Sequence, residues 1–390
     1  MRTLFLTPFP PDPVAPHGGG SYVGMLARAM AELGDVALVC LAEPGTESAS
    51  HSVPWAWTAS APYEGHPPAR GGAAHRLRML WRWHSRPLLP AKAWSKQLCK
   101  LVGRARREYR PDVVLVEFAQ MAQYLPWLDG VPTVLTDHEA GWPANAGTGL
   151  GRAADRRDRR LWRDYVERHY RQARLLQAVT GEDARALSAW LGRDVLVRPA
   201  CMALPERSVD PGAAPPRALF FGDYGHAPNP EAAGRLVRDV LPRLLRAEPA
   251  AELWLAGRNS ERIAHLDGTP GVRVCGFVQD LGGLLAQVRL LLAPMWSGAG
   301  FRVKNAAALA HGVPVVTNAL GARGGAPPPA CTVAEDPEGL AAAAIALLRS
   351  PAEASARGRA GREWVRATLS PAAVARLQLE RAEALLLGRP

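Results

Sequence analysis

Two cations stand close together in a setting that suits an anion. Arg302 and Lys304 follow a glycine-bearing turn, Gly298-Ala299-Gly300-Phe301, and lead into an alanine-rich segment that Gly312 ends. An apolar run, Leu290 to Ala293, precedes the turn, and a second, Val313 to Thr317, follows the segment. Short apolar runs on either side of a helix-length segment predict two buried parallel strands joined by a crossover helix. The glycines then sit at a strand's carboxyl end and a helix's amino end, where unpaired N–H groups and a partial positive charge favour phosphate. Of the 47 lysines and arginines only four are lysines (Lys92, Lys96, Lys100 and Lys304), so position 304 wants a compact ammonium rather than charge alone. A phosphate oxygen about 4 Å from each cation would gain on the order of 4 kcal/mol per pair before desolvation. The helix terminus adds about 0.3–1 kcal/mol, so the cations would dominate. The competing reading is two solvated residues on a surface helix.

A second group of candidates lies in the first half. Asp112 to Glu117 and Pro132 to Thr136 read as buried strands, each ending in polar residues: Glu117 after the first, Asp137-His138-Glu139 after the second. In an open parallel sheet these carboxyl ends face the ligand crevice. His138 leads the group, because its charge responds near neutral pH and its ring both donates and accepts hydrogen bonds. Near the N-terminus, a strand from Arg2 to Thr7 is followed by Gly18-Gly19-Gly20-Ser21 and an apolar-periodic helix, Tyr22 to Leu33. Strand, glycine loop and helix again form a phosphate-approach arrangement, though such loops also simply turn a chain.

The elements that must position these residues alternate along the chain. Further strands are expected at Asp35 to Leu41, Val53 to Trp57, Leu175 to Thr180 and Asp194 to Arg198. Two helices divided near Pro87 and Pro90 are expected in the basic stretch, and a long, mostly solvated helix over Arg152 to Arg174. The proline-rich stretch Pro199 to Pro216 breaks the pattern and reads as a linker. Beyond it come strands at Ala218 to Gly222, Glu252 to Ala256 and Val272 to Cys275, helices at Pro230 to Arg246 and Leu281 to Val288, and an almost wholly helical, alanine-rich end from Pro337. Two runs of alternation predict an α/β protein of two doubly wound, Rossmann-like domains with right-handed crossovers. The expected divisions are 1–199, a linker at 200–216, 217–370, and a final helix over 371–390 packing back on the first domain.

Composition narrows the classes. The chain of 390 residues has 48% hydrophobic and 21% charged residues, as an ordinary globular enzyme does. Its five cysteines are scattered, which argues against a disulfide framework or a zinc site and for a reduced, cytoplasmic setting. No apolar run approaches the roughly 18 residues that span a bilayer. The net charge of +11 is concentrated: residues 65–107 hold 11 cations and no acid, with Trp81, Trp83 and Trp94 interleaved. Such a stretch suits an anionic membrane surface, a lipid-phosphate acceptor or nucleic acid, or else is a solvated helical face.

Taken in order, F-F-G-D-Y-G-H-A-P-N (Phe220 to Asn229), L-W-L-A-G-R-N (Leu253 to Asn259), V-R-V-C-G-F-V-Q-D (Val272 to Asp280) and G-A-G-F-R-V-K followed by H-G-V-P-V-V-T resemble a family 4 glycosyltransferase of the GT-B fold. The likeness spans nearly the whole chain and is most specific in its second half. It implies two Rossmann-like domains facing across a cleft, a nucleotide-sugar donor held by the second domain, and a glycan, lipid-linked or small-molecule acceptor bound by the first. It also implies retention of anomeric configuration, no metal and no further cofactor, and no nucleic-acid partner. Phe277 and Val278 would line the base, Arg302 and Lys304 would hold the diphosphate, and the turn Gly298, Ala299, Gly300 and Phe301 would approach it. Gly222 and Asp223 would lie near the donor, and Gly19 and Gly20 near its phosphate; His138 stays a catalytic candidate on its strand-end position alone. The leaving diphosphate would help deprotonate the acceptor, so the electrostatic demand falls on the cations. Peripheral contact with the inner face of a membrane through residues 65–107 is a further expectation.

The chain departs from the family pattern at Ala307, where many members carry a glutamate that binds the donor ribose. Losing a charge-assisted hydrogen bond there costs about 1.5–3 kcal/mol. The other acid of the usual pair falls on Ala299, and the arginine and lysine often found after the first strand of the second domain are missing between Gly222 and Pro230. A non-catalytic nucleotide-sugar-binding relative and a nucleotide-sugar epimerase of the same fold are the alternatives.

Overall fold

Alternating apolar runs and periodic segments fold here into two parallel sheets wrapped in helices. The computed structural model describes residues 1–15, 18–43, 52–65, 72–139, 148–298, 300–324 and 330–388. Two compact units form, one from Met1–Cys201 with Pro371–Pro390 and one from Met202–Ser370.

In the first unit the elements are β1 (Arg2–Thr7), α1 (Gly18–Ala31), β2 (Asp35–Ala42), β3 (Trp57–Pro62), α2 (Ala73–Ser85), α3 (Leu88–Lys92), α4 (Lys96–Glu108), β4 (Val113–Glu117), β5 (Thr133–Asp137), α5 (Arg152–His169), β6 (Leu175–Ala178), α6 (Gly181–Leu191) and β7 (Leu196–Val197). The seven strands are parallel in the order β3-β2-β1-β4-β5-β6-β7. Side chains alternate between two cores, as period-two geometry requires. Leu4, Leu6, Val114 and Val116 pack with α4 and α5 on one face. Phe5, Val113 and Leu115 pack on the other with Val23, Leu26 and Met30 of α1 and with Val374, Ala375 and Ala382 of the C-terminal helix.

Several local expectations shift. The third strand is Trp57–Pro62 rather than 53–57: Val53 is buried in the core, Trp55 packs edge-on against Phe5 at 5.8 Å, and the register Ala37↔Trp57 begins the pairing. Pro62 is tolerated because β3 is an edge strand. The basic stretch holds three helices, since Ser95 caps α4 by accepting from Leu98 N at 3.3 Å and Pro90 sits within the first turn of α3. The long helix α5 is mostly exposed, as expected, but it buries one stripe of Asp158, Trp162, Tyr165 and Val166, and Asp158 accepts from Trp83 Nε1 at 2.7 Å and Leu88 N at 2.6 Å.

The second unit contains β8 (Arg217–Phe221), α7 (Pro228–Arg235), α8 (Leu241–Ala247), β9 (Glu252–Ala256), β10 (Val272–Gly276), α9 (Leu281–Leu285), β11 (Leu290–Leu292), α10 (Val303–His311), β12 (Val315–Thr317), β13 (Cys331–Val333), α11 (Pro337–Arg349) and α12 (Pro351–Thr368); α13 (Pro371–Leu386) is the helix that joins the first unit. The sheet is again parallel, in the order β10-β9-β8-β11-β12-β13. The helix expected over 230–246 widens into a π turn at Leu236–Val240. Pro242 explains this, because it lacks an N–H and its ring crowds the preceding turn. The proline-rich stretch at 200–216 lies against the second unit: Val209 N donates to His311 O at 2.8 Å and Arg362 Nη2 to Pro205 O at 2.6 Å.

Both sheets reverse strand order beside their first strand, between β1 and β4 and between β8 and β11. Ligands of doubly wound sheets bind outside the carboxyl ends of the strands at that reversal. Lys304, Arg302, Gly222, Asp223, Gly19, Gly20 and His138 each follow one of these strands or an immediate neighbour, while Phe277 and Val278 follow β10, two strands from β8.

Candidate active site

In the second unit the site grows from the ends of β8 and β11. After β8 the chain turns through Gly222 and Asp223, with Gly222 N donating to Ala256 O at 3.0 Å. Gly257 lies against this turn at φ 141°, and a Cβ on it would come within 1.8 Å of Gly222 O, so only glycine fits. Asp223 is a turn residue: its Oδ1 accepts from Asn259 Nδ2 at 2.6 Å and Gly225 N at 2.8 Å, and these bonds hold its exposed carboxyl below the usual range.

After β11, Met295 is clamped by buried Asn318, whose Oδ1 accepts from Met295 N at 3.0 Å and whose Nδ2 donates to Met295 O at 2.7 Å. The chain then passes Gly298 (φ 95°) and Gly300 (φ 81°) into α10. Positive φ at both positions explains the two glycines. Ala299 falls outside the described residues. Phe301 packs against the core. Arg302 is buried and braces the turn, its Nη2 donating to Gly298 O at 3.0 Å and its Nε to Leu320 O at 3.2 Å.

Lys304 joins the two loops. Its Nζ donates to Asn229 Oδ1 at 2.7 Å, while Asn229 Nδ2 donates to Asp223 O at 2.7 Å. The ammonium also lies 4.0 Å from the centre of the Phe220 ring and 3.8 Å from Met295 Sδ. Burial, and then the neighbouring Arg302 charge, lower its pKa to about 7, and no acid among the described residues offsets them. Positive charge is thus held here at a cost, which an arriving anion would relieve. At the end of β10, Phe277 is 58% exposed with the Arg258 guanidinium 5.5 Å from its ring centre, and Val278 packs at the core's edge. An exposed aromatic ring there is suited to stacking on a planar base.

The first unit carries a separate cluster at its own strand reversal. His138 is only 5% exposed and stacks on Phe118 (centroids 3.9 Å apart) and on Tyr22 (5.4 Å). Its Nε2 is 2.9 Å from Glu117 Oε2 and its Nδ1 is 2.8 Å from Tyr22 Oη. An ionised Glu117 can only accept, so Nε2 carries the proton and, in the neutral ring, Nδ1 accepts from the tyrosine. Burial drives the His138 pKa down against the pull of Glu117. Burial raises the Glu117 carboxyl, but Arg198, whose Nη2 donates to Oε2 at 2.6 Å, and His138 together hold it below the usual range. Asp137 is also internal, accepting from Tyr170 Oη at 2.5 Å and Glu139 N at 2.8 Å. Both nitrogens of His138 are therefore engaged, and Glu117, Asp137 and Glu139 serve this network or its flank.

The glycine loop has a packing role as well. Gly19 and Gly20 lie in the first turn of α1, and a Cβ on Gly19 would come within 2.8 Å of Phe118 Cζ. Phe118 itself holds φ 74°, an uncommon value for a bulky residue and a sign of local strain. The glycine makes room for the ring that stacks on His138. Sequence reasoning missed Asn229, Asn318, Tyr22 and Arg198. Of these only Asn229 had a signal, standing at the end of the segment Phe220 to Asn229. Among the described residues no group of three or more His, Cys, Asp or Glu side chains could hold a metal ion.

Residues 17–201 match the family described as glycosyl transferase 4-like domain, and residues 215–350 match glycosyl transferases group 1. No match is found among the curated proteins. Among solved structures, sucrose-phosphate synthase from Thermosynechococcus elongatus is similar with a TM-score of 0.68 at 17% identity, covering 100% of both chains. The Anabaena protein HepE in complex with UDP and glucose has a TM-score of 0.61 at 14% identity, covering 98% of this chain and 99% of its own. Trehalose-6-phosphate synthase from E. coli, bound with UDP-2-fluoro glucose, has a TM-score of 0.62 at 12% identity, with coverage of 98% and 99%. At these identities the likeness shows the fold, which is GT-B. With both family matches in chain order, the protein belongs to the family 4-type glycosyltransferases.

Proposed function

We propose that this glycosyltransferase takes its sugar from a nucleoside diphosphate donor and transfers it to an acceptor hydroxyl with retention of configuration. The observation that carries the reading is Lys304: an ammonium with a pKa lowered to about 7, held by Asn229 at the strand reversal without a carboxylate partner among the described residues. A diphosphate at the turn Gly298–Phe301 would supply the missing counter-charge. Arg302 contributes through its buried charge and by holding Gly298 in place, and Phe277 offers a face for the base. As the sugar bond breaks, negative charge grows on the leaving diphosphate. Cations already fixed beside it stabilise that charge without reorganising. The diphosphate then accepts the acceptor's proton, which delivers the hydroxyl to the face the leaving group vacates and retains configuration. His138, with both nitrogens engaged, contributes by fixing Tyr22 and Phe118. UDP and UDP-2-fluoro glucose in the similar structures support a donor of this class.

The test is a panel of UDP-, GDP-, ADP- and TDP-sugars incubated with the protein, with mass spectrometry of the products and NMR of the anomeric proton. Cleavage or transfer of one donor with retention is expected, and Lys304→Met should abolish it. A protein that cleaves none of them, or that gives an inverted product, contradicts the proposal. Ala307 favours a second reading, a donor-binding protein without transfer, because the ribose lacks the family's carboxylate. That reading predicts binding of a donor with no turnover.

A further inference from the structure

We propose that helix α2 seats the first unit on an anionic lipid bilayer. An ordinary surface helix turns its apolar stripe inward. In α2 the polarity is inverted. The inward face carries Arg82, whose Nη2 donates to Glu64 Oε2 at 2.7 Å, and Trp83, whose Nε1 donates to the buried Asp158. The outward face carries Leu77, Leu80 and Trp81, which are 65%, 54% and 72% exposed. At about 100° per residue these three fall on one stripe, with Ala73 and Ala74 continuing it. Arg76 and Arg78, both exposed, lie about 100° to either side of Leu77.

An apolar ridge between two rows of arginine is the form of a helix lying in the membrane interface: leucine and tryptophan enter the acyl boundary while cations stay among the headgroups. Charge selects the lipid. From residue 65 to residue 107 the sequence has 11 cations and no acid, so the surface that complements it is negative. Nucleic acid would satisfy the arginines, but it offers nothing to the two exposed leucines. No helix among the described residues is long and apolar enough to cross a membrane, so attachment by this surface is interfacial.

The experiment is sedimentation of the full chain with vesicles of phosphatidylcholine alone and of phosphatidylcholine with about a third phosphatidylglycerol. The wild type is expected to bind the anionic vesicles, more weakly at high salt, and to bind the neutral ones poorly. Leu77→Ser with Trp81→Ser should lower the partition coefficient roughly a hundredfold, because two large side chains no longer leave water. Arg76→Gln with Arg78→Gln should weaken the preference for anionic lipid roughly thirtyfold, at about 1 kcal/mol per cation removed. All four positions are exposed, so the melting temperature should stay unchanged in both variants. A wild type that stays in the supernatant with either vesicle overturns the proposal. So does a partition coefficient unmoved by the serine pair, RNA binding in place of vesicle binding, or a lipid-free dimer that the serine pair dissociates.

Discussion

Replacing Lys304 by methionine should make the empty protein more stable and leave it unable to respond to nucleotide. The folded pKa of Lys304, about 7, lies below the unfolded value of about 10.4. The unfolded chain therefore binds the proton more tightly. The cost of holding the charge is fully present below pH 7 and is relieved as pH rises toward the unfolded value. Linkage over that interval sets an upper bound of about 5 kcal/mol at pH 6.5. The ammonium is half-buried rather than sealed, and methionine would forfeit the hydrogen bond to Asn229, worth about 1 kcal/mol. A net gain of about 1–2 kcal/mol remains, which raises the Tm by roughly 2–8 °C. Thermal melts at pH 6.5 with and without nucleoside diphosphate read both effects. Saturating ligand at about 100 times its Kd should stabilise the wild type by about 2.7 kcal/mol and the variant not at all. A variant less stable than wild type without ligand, or one that keeps the ligand-induced shift, refutes the reasoning.

Nucleoside diphosphate affinity should weaken as pH rises above 7, by up to about tenfold per unit, because binding then requires protonation of Lys304; calorimetric titration across pH 6–9 checks this, and a flat profile counts against it. Glu117→Gln should cost about 3–5 kcal/mol in urea denaturation, since Arg198, fully buried, would lose its carboxylate partner. A loss below 1 kcal/mol would mean the pair is dispensable. Gly257→Ala should cost about 2–5 kcal/mol, combining backbone strain at φ 141° with a clash against Gly222 O. It should also weaken nucleotide binding by displacing the turn that anchors Asn229.

Much of this was legible because buried parallel strands announce themselves. Leu4 to Leu6, Val113 to Val116 and Leu290 to Leu292 are continuous apolar runs, and each became a strand. Lys304 stood out by rarity, and the glycines at 298 and 300 by their place between an apolar run and an alanine-rich segment; both adopt positive φ. Two of the four edge strands were harder: β3 and β13 are built from small or mixed residues, W-T-A-S-A-P and C-T-V, whose pairing is decided by neighbours rather than by their own pattern. The roles of the site's asparagines were hidden for a related reason, although Asn229 closes a segment the sequence had marked. Asn229 and Asn318 matter through bonds to residues 75 and 23 positions away, and no local spacing encodes such a partner. His138 stood out as an acid–base candidate, but its partners Tyr22 and Glu117, 116 and 21 residues off, could not be read locally.

With only four lysines in the chain, 13Cε-lysine NMR across a pH series observes the decisive group directly. One resonance should titrate near pH 7, be missing from the Lys304→Met spectrum, and move to higher pH when UDP or another accepted nucleoside diphosphate is added. If no lysine resonance titrates between about pH 6 and 8, or if the one that does ignores every nucleoside diphosphate, then Lys304 does not anchor the donor.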